Sequence, residues 1–396
     1  MLSFRSGGFF DQPRTAIAIG AWSSIAVLAL ARPSLLVPPT RVGRVAVVAL
    51  LGLAAWTAAS ELWAPLIESA RQDTVRLALY AAVLPLAVGA FGSRTSVRWL
   101  EVGLAALALT VIGYGLLGEL GVVGLDSSVS AAGRLEQPLS YWNATAAIAA
   151  MGLVLAARIA ADRSRARISR VAAAVATAPL AVGLYLTYSR GGIAAALAGL
   201  LALVLLVPEA ARIWARLGAR GRPVVAAVAA VGLAIAIGVV VADRESTPAR
   251  GATATRLADV GSTRGDYWRV ALGAFESEPL RGTGTAGFAV EWLREREVPE
   301  AAVDAHSLYI ETAAELGIVG LLLLLTSGGG VAVCAVRAYG RDPAAVAGPA
   351  AALIVLAFHC AVDWDWEMPA VAIPMLLLAG ALVAQAGEPG AEPRSA

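Results

Sequence analysis

Long apolar runs alternate with short polar connections along most of the chain. The runs are about 17 to 22 residues long, and a helix of that length crosses a hydrocarbon core about 30 Å thick. They lack the period-two alternation that marks the strands of a membrane barrel. The pattern predicts an all-α polytopic integral membrane protein with about eleven transmembrane helices. The predicted spans are 15–31, 43–60, 75–92, 97–118, 141–160, 170–188, 191–207, 223–242, 308–336, 344–362 and 369–386.

One polar stretch is far longer than the other connections. It runs from about residue 243 to 305 and ends on His306, where the apolar sequence resumes. Apolar residues at helical spacing predict a short helix over 266–278, which Pro279 ends, and a charged helical piece over 291–297. The chain then divides into N-terminal transmembrane helices (1–130), central transmembrane helices (131–242), this long loop (243–307), and C-terminal transmembrane helices with a cytoplasmic tail (308–396).

Arginine placement orients the spans. Arginines crowd the short connections 161–170 and 208–222 and follow the ninth predicted span, and such connections face the cytoplasm. Alternating spans then leave the long loop and the Tyr188–Gly191 turn outside, in the extracytoplasmic space. The same count puts the N-terminus outside despite Arg5 and Arg14. If the first two spans were assigned differently, the N-terminus would lie on the other side while the later loops kept theirs. The side of the N-terminus therefore stays open.

Composition supports a membrane protein and narrows its partners. Charged residues make up 15% of the chain and hydrophobic residues 58%, whereas soluble domains are about 25% charged. The net charge of +2 is spread over short loops, so it gives no sign of a nucleic-acid partner. The two cysteines, Cys334 and Cys360, lie in apolar segments without disulfide or metal-binding spacing.

Three side chains are candidates for chemistry at the membrane surface. His306 is one of only two histidines, and an imidazole suits proton transfer near neutral pH. Arg264 lies in the same polar stretch, and Arg190 lies in the tight turn between two spans. Planar guanidinium groups match phosphate oxygens. The structural alternatives are snorkelling or solvated arginines and an interfacial histidine, whereas His359, inside an apolar span, is predicted to be packed.

Two further motifs have mainly structural interpretations. The run 282–287 matches the G-x-G-x-x-G pattern literally, but it lacks the strand–helix context of a dinucleotide site. Flexible backbone that approaches a ligand, or plain turns, explains the run better. Residues 363–367 alternate three acids with two tryptophans. This segment could bind a divalent cation. An aromatic belt with solvated acids is the favoured interpretation.

Taken in order, the motifs resemble the O-antigen ligase and polymerase superfamily of membrane glycosyltransferases. The resemblance covers roughly residues 130 to 370, and its motifs are short but agree in order, spacing and predicted side. The residues that carry it are Gly133-Arg134, Pro138, Asn143, Thr187 to Gly192, Arg264, Trp268, Pro279, Gly282, Gly284, His306 to Tyr309, and Glu315 to Gly320.

The resemblance implies an activity and roles for particular residues. A glycan would move from undecaprenyl diphosphate to a hydroxyl of a glycan, lipid or protein acceptor, without a metal or other cofactor, outside the cytoplasmic (inner) membrane. Arg190 and Arg264, and with less support Arg134, would bind the diphosphate, and His306 would orient or deprotonate the acceptor hydroxyl. The family's usual His-Asn pair is His306-Ser307 here, and the family commonly has about twelve spans.

Other functions remain open at this stage. Ligase and polymerase differ in their acceptor, and no motif in the chain separates them. A membrane transporter of glycolipid would carry ionisable residues deep in several spans and inverted repeats, whereas these spans are nearly free of charge. A catalytically inactive, glycolipid-binding relative is the third alternative.

Overall fold

A computed structural model describes residues 2–9, 11–207 and 263–387. These ranges contain helices and connections but no β-strand. Eight of the described helices are long and apolar enough to cross a membrane, and two further apolar helices, Arg190–Leu206 and Pro369–Gln385, are shorter. An all-helical polytopic membrane protein is thereby confirmed. The predicted span 223–242 lies outside the described residues, so the count of about eleven stays a prediction.

The helices form an ordered series along the chain. Short 3₁₀ turns occur at Leu2–Phe4, Ser6–Gly8, Pro33–Leu36 and Asp365–Glu367. The α-helices are α1 (Asp11–Ala31), α2 (Arg41–Ser60), α3 (Ile67–Ala90), α4 (Arg94–Glu119), α5 (Trp142–Ala161), α6 (Arg167–Leu186), α7 (Arg190–Leu206), α8 (Arg264–Ser277), α9 (Phe288–Glu295), α10 (Leu308–Arg341), α11 (Pro343–Cys360) and α12 (Pro369–Gln385). The two helical pieces predicted within the long loop correspond to α8 and α9.

Helix α3 begins earlier than the predicted span 75–92. Its first two turns contain Glu68, Arg71 and Asp73, which hydropathy excludes from a membrane span. Helical hydrogen bonding continues past the apolar part, because backbone bonds depend on local conformation and not on transfer into lipid. The polar start of α3 therefore extends beyond the apolar core of the bundle.

Helix α5 lies at the centre of the main core. It packs against α4, α6, α7 and α11, and most of its residues are buried. Small side chains permit this close approach: a Cβ at Gly192 of α7 would collide with Ala146 of α5. A stripe of small residues is typical of closely packed membrane helices.

Helix α10 is interrupted near its start. Gly317 has φ +64° and ψ −166°, a conformation open to glycine and strained for other residues. The interruption frees carbonyl groups, which a preceding loop uses: Thr283 N–H donates to Ala314 O (3.0 Å) and Gly284 N–H to Glu315 O (2.9 Å). The break thereby fastens the long polar loop to the start of α10.

The glycine run 282–287 belongs to this fastened loop. Gly282 has φ +71°, and a Cβ there would collide with the backbone of Glu315. Close backbone packing therefore explains the run, in line with the interpretation as turns.

Connections that share a predicted side lie at the same end of the bundle. At one end, Arg98 Nη2 donates to Ser164 Oγ (2.6 Å), and Arg94 Nε lies 3.3 Å from Asp342 Oδ2. These contacts join the start of α4, the α5–α6 connection and the α10–α11 connection. The arginine-rich connection 161–170 is thus at this end.

The opposite end gathers the long loop and the remaining connections. Asn143 Nδ2, at the start of α5, donates to Asp363 Oδ2 in the α11–α12 connection (2.7 Å). The N-terminal residues lie there too: the ring of Phe4 is 5.0 Å from that of Tyr114, and Phe9 is 5.5 Å from Trp364. This arrangement agrees with the arginine count, which assigned the N-terminus and the long loop to one side.

Candidate active site

A polar pocket of about 140 Å³ lies at the end that holds the long loop. Separate segments supply its walls: the start of α5, the start of α7, the start of α8, and the chain that leads into α10. The lining residues are Tyr141, Trp142, Asn143, Tyr188, Ser189, Arg190, Gly191, Thr263, Arg264, Tyr267, Glu300 and His306. Three of the four residues proposed from the sequence, Arg190, Arg264 and His306, are thus brought together.

Arg190 is the first residue of α7, and its position follows from a helix cap. The Ser189 hydroxyl accepts a hydrogen bond from Gly192 N–H (3.1 Å), which is the usual role of a serine at an N-cap. The N-terminus of α7 therefore points at the pocket. The aligned peptide dipoles and N–H groups at such a terminus attract an anion. The positive charge of Arg190 adds to this attraction.

Arg264 begins α8 and is held by the α11–α12 connection. Its Nε donates to Val362 O (2.6 Å), and its Nη2 forms an ion pair with Asp363 Oδ2 (2.6 Å). The Arg264 side chain is 17% exposed, while that of Asp363 is 1% exposed. These two bonds fix the plane of a guanidinium that lines the pocket.

Asp363 organises this wall of the site, although sequence reasoning did not select it. Besides Arg264, its carboxylate accepts hydrogen bonds from Tyr141 OH (2.6 Å) and Asn143 Nδ2 (2.7 Å). Burial opposes ionisation of Asp363, but Arg264 and then His306 outweigh it, so its pKa lies below the usual range. Asp363 is therefore an ionised, buried carboxylate next to the basic side chains of Arg264 and His306.

The interpretation of residues 363–367 as solvated acids is wrong. All three carboxylates are buried, and each contacts a basic side chain: Arg264 at Asp363, His359 at Asp365, and Arg76 at Glu367. Burial of an unpaired carboxylate is too costly, so these partners explain why the segment can turn inward. His359 is packed as predicted, with 0% exposure, and its Nδ1 contacts Asp365.

His306 is held in one orientation by its backbone and by an aromatic neighbour. It has φ +55°, which costs a residue other than glycine about 1–3 kcal/mol. The imidazole Nδ1 lies 3.0 Å from Asp304 O, and the ring stacks on Tyr267 with centroids 4.9 Å apart. Nδ1–H is the donor in that bond, because a carbonyl can only accept, so Nε2 is left as the basic nitrogen.

The protonation of His306 is set by the same surroundings. Burial lowers its pKa below the ordinary value; Asp363 opposes this effect and Arg264 adds to it. The imidazole is consequently neutral near pH 7. A neutral imidazole in reach of a hydroxyl can act as a general base.

Tyr267 links the histidine to α8. It follows Arg264 by three positions, so both side chains lie on one face of the helix. Its buried ring packs edge-on against Trp292 of α9 (4.8 Å). Burial, assisted by the nearby Glu300 carboxylate, raises the pKa of Tyr267 to about 12. Helix α8 therefore positions a guanidinium and the support of the imidazole together.

Arg134, the fourth proposed residue, lies behind the pocket lining. Its guanidinium carbon is 3.4 Å from the ring centroid of Trp142, which lines the pocket. Its Nε and Nη2 donate to the carbonyls of Ala131 (2.6 Å) and Ser130 (2.5 Å). In this structure Arg134 supports Trp142 and its own loop.

A group of three carboxylates includes Asp304, which contacts His306 through its carbonyl. Ligand atoms of Asp304, Glu311 and Glu367 come within 4.8 Å of one another, a spacing that a metal ion could use. Arg76 already contacts Glu367, and burial raises the pKa of Asp304 to about 7. Metal-independent chemistry remains a prediction for this protein.

A comparison with known protein families finds a match for part of this chain. The family model described as O-antigen ligase matches residues 172–325, a region that includes Arg190, Arg264 and His306. No curated protein matches the chain. The match bears out the resemblance that the sequence motifs carry. Residues 172–325 are thus similar to the O-antigen ligase family, in agreement with the predicted resemblance to the O-antigen ligase and polymerase superfamily.

Proposed function

We propose that this protein transfers a glycan from a polyprenyl diphosphate carrier to an acceptor hydroxyl outside the cytoplasmic membrane. The family match supports ligase- or polymerase-like glycosyl transfer in general. One observation carries the finer proposal: Arg190, Arg264 and His306 come from three separate segments and line a single small pocket.

The cationic side of the pocket suits a diphosphate leaving group. When the anomeric C–O bond to the diphosphate breaks, negative charge grows on the leaving oxygen. That charge is stabilised by positive groups that are already in position: Arg190, the N-terminus of α7 and Arg264. Preorganised donors of this kind stabilise a transition state more than the ground state, because they need not reorient during the reaction.

His306 supplies the complementary proton acceptor. The acceptor oxygen forms a bond to the anomeric carbon, and its proton passes to Nε2 of the imidazole, while the diphosphate departs with its electron pair. The Nδ1 contact with Asp304 O keeps the ring in the required tautomer. General base catalysis of this kind contributes about 10²–10⁴-fold to a rate.

An apolar cavity of about 510 Å³ supports a lipid-linked donor. It runs along α10, α11 and α12 from Leu308 and Trp366 down to Tyr339. Leu308 is two residues from His306, so the cavity begins close to the polar pocket. A polyprenyl chain could lie in this cavity while its diphosphate reaches the arginines.

The arginine-rich connection 161–170 supports placement of the pocket outside the cytoplasm. It lies at the end of the bundle opposite to the pocket, and connections of this composition remain cytoplasmic. The proposed site is then on the extracytoplasmic side of the cytoplasmic membrane, where a diphosphate-linked glycan would meet its acceptor.

Reconstitution tests the proposal. Purified protein in proteoliposomes would receive an undecaprenyl diphosphate-linked oligosaccharide and an acceptor, and both the glycosylated product and free undecaprenyl diphosphate would be measured. We expect equal amounts of the two. A ligase would glycosylate a lipid-core or protein acceptor, and a polymerase would lengthen a second lipid-linked glycan. Movement of the donor across the bilayer without release of undecaprenyl diphosphate would contradict the enzyme and indicate the transporter.

A further inference from the structure

Glu300 is a carboxylate in a pocket whose other charged side chains are basic. It lies in the connection between α9 and α10 and is exposed at the pocket rim. Its carbonyl accepts hydrogen bonds from Trp292 Nε1 (2.9 Å) and Arg296 Nη1 (3.1 Å). The backbone is therefore held in place beside the pocket, and the carboxylate reaches the hydroxyl of Tyr267 in the pocket lining.

The neighbours of Glu300 are mainly hydroxyl and aromatic groups. Its carboxylate is close enough to Tyr267 to raise the pKa of that hydroxyl, and Thr263 supplies a second hydroxyl to the same pocket. The half-buried ring of Tyr188 lines the pocket as well. A carboxylate, hydroxyl groups and an aromatic ring together provide hydrogen-bond acceptors and an apolar face.

The charge of Glu300 makes it unsuitable for the donor's phosphates. A carboxylate accepts hydrogen bonds and cannot donate them, so it repels a phosphate or another carboxylate at short range. A sugar hydroxyl, in contrast, donates to a carboxylate in a short and strong bond. Glu300 therefore suits a substrate that carries hydroxyl groups and no negative charge.

We propose that Glu300 anchors an acceptor subsite that takes a neutral, hydroxyl-rich sugar and disfavours anionic acceptors. This inference rests on the proposed glycosyl transfer and extends it to the acceptor. The carboxylate would accept a hydrogen bond from a hydroxyl next to the reacting one, with Thr263 and Tyr267 beside it. The reacting hydroxyl would then face Nε2 of His306.

Steady-state kinetics with matched variants test the subsite. Wild type, Glu300→Gln and Glu300→Ala would be compared with Glu297→Gln in proteoliposomes. Glu297 is a matched control because it lies three residues earlier, is 76% exposed and pairs with Arg269. The donor would be an undecaprenyl diphosphate-linked hexose oligosaccharide. The acceptors would be a neutral hexose oligosaccharide and its counterpart that ends in a hexuronic acid.

We expect the loss of a charge-assisted hydrogen bond to raise KM for the neutral acceptor about tenfold or more in both Glu300 variants. KM for the donor should stay within about twofold, and the preference for the neutral over the anionic acceptor should shrink. Glu297→Gln should match the wild type. If the Glu300 variants transfer glycan at the wild-type rate, with an unchanged KM for the acceptor and an unchanged charge preference, this inference alone is overturned. Absence of transfer by the wild type itself would overturn the proposed function as well.

Discussion

Arg264 and Asp363 form an ion pair of 2.6 Å although 99 positions separate them in the chain. The pair joins the start of α8 in the long polar loop to the connection between α11 and α12. It also ties the pocket wall to the start of α5, since Tyr141 and Asn143 donate to the same carboxylate. Three distant parts of the sequence thus meet on one buried acid, and the arginine that we assign to the diphosphate is held by it.

Asp363→Asn should impair both stability and transfer. Removal of one member of a buried ion pair costs about 3–5 kcal/mol, because the remaining charge loses its partner. A guanidinium displaced by about 1 Å lowers a rate by about 100-fold. We expect a lower Tm and a drop in kcat of that order per folded molecule. The matched control is Asp266→Asn, which changes a more exposed carboxylate of α8 that lies 3.9 Å from Arg269. Wild-type transfer by Asp363→Asn would show that the ion pair does not position Arg264.

The parts of the site that sequence could predict follow from patterns local to the chain. Hydropathy located the helices because it measures the transfer of side chains into lipid. The arginine count assigned the loops to their sides, and His306 stood out as one of only two histidines. Arg190 and Arg264 were selected through the motifs shared with the family. The break at Gly317 was not predicted, because an apolar run continues through it.

Asp363 and Glu300 could not be found in this way. Whether an acid is solvated or buried depends on a cation brought to it by the fold, and the partner of Asp363 lies far away in the sequence. Glu300 is one of several acids in a charged stretch, and only the fold distinguishes it from Glu297. Alternation of acids with tryptophans at 363–367 could have signalled a segment with two environments, but it could not name the partners.

Lysine substitution tests whether the arginines act through geometry. Arg190→Lys and Arg264→Lys keep the charge but lose the planar fork that binds two phosphate oxygens at once. We expect each variant to transfer glycan at least about tenfold more slowly, through the loss of about 1.4 kcal/mol or more of transition-state stabilisation. Arg269→Lys, on the exposed face of α8, should behave as the wild type. Unchanged turnover in both Lys variants would assign Arg190 and Arg264 a structural role.

Thiol labelling tests the proposed orientation in the membrane. Ser277→Cys places a thiol at the exposed last residue of α8, and Ser164→Cys places one at an exposed position of the arginine-rich connection at the other end. An impermeant reagent should label the first in intact cells and the second only after lysis. The native cysteines, Cys334 and Cys360, are both buried and should give little background. The reverse labelling pattern would put the pocket on the cytoplasmic side.

The pH dependence of transfer should report the protonation of His306. Burial lowers its pKa, so the acid limb of kcat/KM should lie below the ordinary value of about 6.5. Asp363 favours the imidazolium; Asp363→Asn should therefore move the limb to lower pH. Arg264 disfavours the imidazolium, and Arg264→Gln should move the limb to higher pH, although both variants are slower. A limb that stays in place in both variants would exclude His306 as the titrating base.

Asp304 is the competing explanation for such a limb. Burial raises its pKa to about 7, and its carbonyl contacts His306. Asp304→Asn removes the carboxyl and keeps the carbonyl. If His306 is the titrating group, this variant should retain an acid limb below about 6.5. Loss of the limb in Asp304→Asn would assign it to the aspartate.

The two histidines should respond to alanine in opposite ways. His306 has φ +55°, so alanine there keeps a strained backbone but removes the imidazole, and transfer should fall by about 10²–10⁴-fold with little change in Tm. His359 contacts the buried carboxylate of Asp365, and His359→Ala removes this contact. We expect His359→Ala to lower Tm by several degrees and to spare most of the transfer per folded molecule. Transfer by His306→Ala close to the wild-type rate would refute base catalysis by histidine and leave electrostatic stabilisation by the arginines as the source of the rate.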